Sequence, residues 1–264
     1  DPFDYALPLE GLRVAPYVAS TGALVTVEGY NGDSRAYLDL GGLELDEEVR
    51  DPDWAPTAEE AKAAVHLLVE ELLAEFPLDG LSRREIMRRL EAGEPLPSVA
   101  GALAFLLLPF ARDLVAGPTP INLVTKPRPR TGSTLLVETL GFVVTGDLVG
   151  STNLPQTPEE TTKVLTTTLR KGRPITLFDN VNHAVDSGEL ASTITSGRYT
   201  ARLLGTNDEL DVAVRTTWAL TGNNLTLSTE MAARGLVTAP FWISGLMKLF
   251  HFEQAVTEMA RAGL

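Results

Sequence analysis

Between residues 13 and 40, short apolar runs (RVAPYV, ALVTVEGY and RAYLDL) are separated by turn residues at Thr21-Gly22 and Asn31-Gly32-Asp33. That spacing predicts small strands, and the Asn31-Gly32 pair predicts a hairpin. An acidic stretch, LELDEEVRDPDWAP, ends the pattern and reads as a linker. Beyond it the period lengthens. Thr57 and Glu60 make a capping-box pair, and Val65, Leu68, Leu72 and Phe76 recur on one face, so a helix is expected from Thr57 through about Phe76. A second, basic helix is expected over Ser82 to Leu90. A third, very apolar helix is expected from about Ser98 to Val115, bent at Pro109, which has no backbone donor.

From Pro118 the chain alternates strand and helix patterns. INLVT (121–125) reads as a strand, KPRPRTGST as a loop, TLLVETLGFVVTG as the opening of a helix and DLVGSTN as a further strand. Thr157 is placed to cap the next helix, with Pro158 at its first position and Glu160 closing a capping box. PITLFDN (174–180) and TTWALTGNN (216–224) read as buried strands, and a short helix from Ser228 is stopped by Gly235. This alternation predicts an α/β fold with a parallel sheet between helices. The organisation it implies is a β-rich lead-in and acidic linker over 1–55, a helical region over 56–97, an α/β domain over 98–240 and C-terminal helices over 241–264.

Composition narrows the chemistry. Without cysteine there are no disulfides, thiolate metal sites or cysteine nucleophiles, which fits an intracellular protein. The three histidines, His66, His183 and His251, are too dispersed to promise a metal cluster or a Ser-His-Asp triad. The acidic, proline-broken opening DPFDYALPLE has no signal-peptide pattern, and the apolar run Val99 to Phe110 is too short to span a bilayer, so a cytoplasmic chain without membrane contact is expected. Residues 1–100 hold 21 acidic and 8 basic side chains and so carry the whole net charge of −13. Such an excess argues against generic nucleic-acid binding, although Lys126, Arg128 and Arg130 offer a local basic patch.

Four segments carry candidate chemistry, in order. The strand–KPRPRTGST–helix unit occupies the position of a phosphate-binding loop, in which backbone N–H groups converge on phosphates at a helix N-terminus. Against G-x-x-x-x-G-K-[ST], Pro127 replaces the first glycine, Gly132 matches the second, Ser133 replaces lysine and Thr134 supplies the hydroxyl. Arg130, Thr131, Gly132, Ser133 and Thr134 are thus the candidate phosphate contacts. ITLFDN ends in Asp179, suited to hold a magnesium-bound water, with Asn180 where a second acid often stands. Asn223 or Asn224, at the end of TTWALTGNN, offers an amide to orient attacking water. Arg234, late in the last helix, suits contact with a neighbouring subunit's nucleotide, or compensates the helix dipole. Each segment alone also fits an ordinary turn or strand end; their order points to a nucleotide-binding fold with Thr134 and Asp179 as metal ligands.

The segments GPTPINLVTKPRPRTGSTLLVETL, GRPITLFDNVNHAVDSGELASTITSGRYTARLLG and VRTTWALTGNNLTLSTEMAARG resemble the ATPase domains of primase–helicase-like proteins from bacterial phages, plasmids and integrated elements. GALVTVEGYNGDSRAYLDLGGL resembles the lead-in that precedes such domains. The resemblance implies an AAA+-like P-loop fold, ATP with Mg2+, a homo-oligomeric ring, and DNA unwinding or remodelling beside replication or mobile-element partners. It assigns Gly132 and Thr134 to the phosphate loop, Asp179 to magnesium, Asn223 or Asn224 to sensor 1 and Arg234 to the trans arginine. Arg198, Arg202 and Arg215 are further candidates for DNA or subunit contacts, or solvated surface groups. Three departures stand out. Arg130 and Ser133 replace a glycine and the lysine, Ala233 replaces a second arginine, and the C-terminal stretch lacks the expected lid pattern. Two readings follow: an active DNA-directed ATPase, or a degenerate module that serves as a structural or partner-binding subunit. A third is an ATPase that remodels protein, which the acidic first hundred residues would suit.

Overall fold

The computed structural model describes residues 9–51, 56–115, 117–126, 132–203, 205 and 208–236, with the side chains of 126 and 234–236 outside that description. The lead-in forms β1 (Gly11–Arg13), β2 (Tyr17–Val18), β3 (Leu24–Val25), β4 (Gly29–Asn31) and β5 (Ala36–Leu38). β4 and β5 pair antiparallel across the expected hairpin, β1 adds parallel to β5, and β2 pairs with β3. Tyr17, Ala36 and Leu38 make a small core of their own.

Helices follow: α1 (Glu47–Arg50), α2 (Ala58–Leu68), α3 (Arg83–Glu91) and α4 (Pro97–Ala111). Thr57 and Glu60 form the expected capping box, and Ser82 caps α3. α2 runs into a π-helical turn, Val69–Leu73, which carries the chain to Phe76. α4 ends within a turn of Pro109 and passes into a 3-10 turn, Arg112–Leu114. Pro97–Leu114 is a longer apolar stretch than the sequence run suggested, with 18 residues and a mean hydropathy of 1.3, long enough by composition to cross a membrane. Val99, Leu103, Phe105 and Leu106 from it are buried in the core.

The α/β part contains β6 (Ile121–Lys126), α5 (Ser133–Thr145), β7 (Ser151–Thr152), α6 (Pro158–Arg170), β8 (Ile175–Val181), α7 (Gly188–Thr195), β9 (Arg198–Arg202), β10 (Glu209–Ala213), β11 (Thr217–Asn223) and α8 (Thr229–Leu236). The central sheet has four strands in the order β6-β11-β8-β7, all parallel, as the alternating pattern predicts. β9 and β10 form a separate antiparallel ribbon. α6 opens with Pro158, but Thr157 makes no side-chain cap. The capping box expected there does not form, because Glu160 turns to Lys163 (2.5 Å).

Both inner strands are apolar on both faces, as befits strands covered on both sides. Ala219, Leu177 and Ile175 face a layer made by α4, α5 and the Val69–Leu73 turn. Trp218, Leu220 and Phe178 face α6 and α7 through Leu165, Leu169, Leu190 and Ile194. The Trp218 and Phe178 rings stack with centroids 6.3 Å apart. The sheet therefore has two cores, and the helical region before residue 97 supplies part of one.

Candidate functional site

In a parallel sheet, ligands bind outside the carboxyl ends of the strands, and three of the four candidate segments meet there. Gly132 caps α5 with φ of 82°, a left-handed conformation that favours glycine. α5 has neither a side-chain N-cap nor an acidic residue in its first turn. Among the described residues, its leading N–H groups therefore have no side-chain partner, an arrangement able to accept an anion. Thr134, in that first turn, donates from Oγ1 to Asp179 Oδ1 at 2.7 Å. Asp179 stands near the end of β8, half-buried between an apolar strand and solvent.

A β-bulge aims that carboxylate. Leu220 pairs with Phe178, but Gly222 pairs with Val181, so β8 holds one extra residue opposite Thr221. Asn180 absorbs the extra length with φ of 53°. The Thr221 hydroxyl, fully buried, donates to the same Asp179 oxygen and accepts the Asn180 N–H at 3.0 Å. Gly222 has no room for a side chain: a Cβ would stand 2.3 Å from the Val181 carbonyl oxygen.

The remaining candidates divide by place. Asn180, Asn223 and Asn224 are exposed at this edge, Asn223 in register with Lys126 of β6 and Asn224 with φ of 49°. Ser133 is buried, and its hydroxyl has no hydrogen-bond partner among the described residues. Phe76, from the helical region, lies over the turn, 3.7 Å from where a Gly132 Cβ would sit. Arg234 falls in α8, which packs on α7, and its side chain is outside the described residues. Arg128, Arg130 and Thr131 also lie outside them. Arg198 is taken up by Asp211 at 3.0 Å, and Arg215 approaches Asp113 at 3.7 Å, both away from this edge. Neither Thr221 nor Phe76, expected only on the apolar face of a helix, is marked by the sequence as part of this site. A threonine inside an apolar strand was the visible signal for the first, and nothing local marked the second.

Two oxygen donors side by side, one a carboxylate, suit a hard cation such as Mg2+, which takes few protein ligands and fills its octahedron with phosphate and water. Among the described residues no group of three or more His, Cys, Asp or Glu is placed to hold a metal. A metal here would depend on the ligand it accompanies. Comparison of the chain with models of known families, with curated proteins and with solved structures gave no match.

Proposed function

We propose that this chain is the nucleotide-binding module of an AAA+-like assembly, taking ATP with Mg2+ at the edge formed by Gly132, Thr134 and Asp179. The observation that carries this reading is the Thr134–Asp179 hydrogen bond, which joins a helix-N-terminal hydroxyl to a strand-end carboxylate 45 residues away. When bound, Mg2+ would offset charge on the phosphate oxygens and align them for attack by water. Thr134 and Asp179 would hold the ion, and the N–H groups at the start of α5 would receive phosphate oxygens. Thr221 keeps the carboxylate turned toward Thr134, and the exposed amides of Asn180, Asn223 and Asn224 are at hand to orient water. A ring-forming, helicase-like role on DNA in replication or remodelling of a mobile element rests on the resemblance to primase–helicase-like proteins.

Phosphate release by the purified protein, with and without single-stranded DNA, tests this. Release that DNA stimulates and Asp179→Ala abolishes supports it; background release unaffected by Asp179→Ala refutes the enzymatic part. The buried Ser133 favours a second reading, a degenerate module serving as a structural or partner-binding subunit. A lysine point charge at that position would act on the transferring phosphate, and serine offers none. Turnover that appears only in Ser133→Lys supports this second reading.

A further inference from the structure

The sheet has a second concavity at its other end, where the strands begin. A cavity of about 250 Å³ opens between the lead-in and the residues that precede β8 and β11, lined by Glu10, Arg13, Arg170, Arg173, Arg215 and Thr216 among others. A neighbouring cavity of about 190 Å³ shares Arg13 and Arg173 and adds Lys171. Pro174 lines both, and at about 3.3 Å per residue it stands roughly 16 Å from Asp179, so this place is separate from the carboxyl edge.

Its charges do not cancel. The Glu10 carboxylate is engaged by Arg35 at 3.2 Å. Asp113, nearly buried, accepts two bonds from Arg13 Nη2 at 3.0 and 3.1 Å and is also approached by Arg215 at 3.7 Å, so two guanidiniums share one carboxylate. Behind them Arg112 is buried and donates, among the described residues, to the carbonyls of Val115, Gly117 and Val214. Burial first, and then the charge of Arg215, lowers the Arg112 pKa. Arg170, Lys171 and Arg173 have no carboxylate partner among the described residues, and Arg173 lies against Gly150, whose missing Cβ leaves it room. The C-terminus of α6 supplies about half a negative charge, which leaves most of these three cations uncompensated. In a chain of net charge −13, so many cations at one concavity call for an anionic ligand.

We propose that this concavity is a second binding site that takes phosphate groups on Arg170, Arg173 and Arg215, with Arg13 held behind them by Asp113. Arginine forks fit phosphate oxygens in pairs, and two unpaired forks beside a half-engaged third favour a polyanion over a single carboxylate. The phosphates can come from a free nucleotide or pyrophosphate, or from a polynucleotide backbone.

The test uses the full chain and measures binding of inorganic pyrophosphate by calorimetry and of a labelled single-stranded oligonucleotide by anisotropy. It compares wild type with Arg170→Gln/Arg173→Gln, two exposed positions, in EDTA, where the Mg2+-dependent carboxyl edge is silent. The expected result is binding of at least one ligand that is about tenfold weaker in the double variant. Pyrophosphate binding identifies free phosphates as the source; oligonucleotide binding alone, falling steeply with salt, identifies the backbone. Three results overturn the proposal. They are no binding of either ligand by wild type, affinity unchanged in the double variant, and a poly-glutamate peptide binding as tightly as the phosphate ligands.

Discussion

Thr221 has two jobs at the proposed nucleotide edge: it fixes the Asp179 carboxylate and it satisfies the backbone N–H freed by the bulge at Asn180. Replacing it with valine keeps the shape, strands the Asn180 N–H and leaves Asp179 with Thr134 alone. Thr221→Val is expected to lose about 1–3 kcal/mol in urea unfolding, the cost of stranding a buried polar group. Stability equal to wild type would show that water replaces the hydroxyl. Gly222→Ala should cost about 1–3 kcal/mol by overpacking, seen as a lower Tm, because the Val181 carbonyl occupies the space a methyl needs. An unchanged Tm would mean that the bulge relaxes freely. Thr134 and Asp179 were legible in the sequence because a hydroxyl after Gly132 and an acid closing an apolar run are chemical types in fixed places. Thr221 was not, since its role depends on a one-residue slip between strands that are distant in sequence. Asn223 stands exposed at the strand tip, and the residue of its strand that touches Asp179 is Thr221.

Elements were legible where local rules act alone. The Thr57–Glu60 box, the basic helix after Ser82 and the strands around Asp179 and Thr221 follow from spacing that needs no partner. The box expected at Thr157 failed because Glu160 had a competing lysine one turn on, and β9 with β10 escaped notice because a solvent-facing ribbon lacks an apolar run. On α3, Glu85 accepts from Arg88 and Arg89, and those hydrogen bonds, Arg88's first, hold its carboxyl at about 2. A carboxylate depressed below its unfolded value of about 4.3 contributes stability above that value and loses it as pH falls toward the folded one. The Tm gap between wild type and Glu85→Gln should therefore narrow between about pH 5 and pH 2. A gap that stays constant over that range would mean the pairs contribute nothing to the folded state.

At the scale of the whole molecule, the helical region and the α/β part share a core. Leu73 and Ile86 belong to the same buried cluster as Leu140, Leu177 and Ala219. Composition separates these regions by charge, yet packing joins them, and no local signal in the sequence announces a contact such as Phe76 over Gly132. Leu73→Ala should cost about 2–5 kcal/mol and shift a single transition, with tryptophan fluorescence and far-UV circular dichroism moving together. Separate transitions would show the two parts to be independent. The same packing brings Gly132, Thr134 and Asp179 to one edge of the sheet, and the central question is whether that edge holds a nucleotide with its metal. The most direct measurement is titration of a fluorescent ATP analogue into the protein with Mg2+ or with EDTA, for wild type and for Asp179→Ala. Saturable binding that needs Mg2+ and is lost in Asp179→Ala is the expected result; binding that survives both the EDTA and the substitution, or no binding by wild type, would overturn the nucleotide assignment.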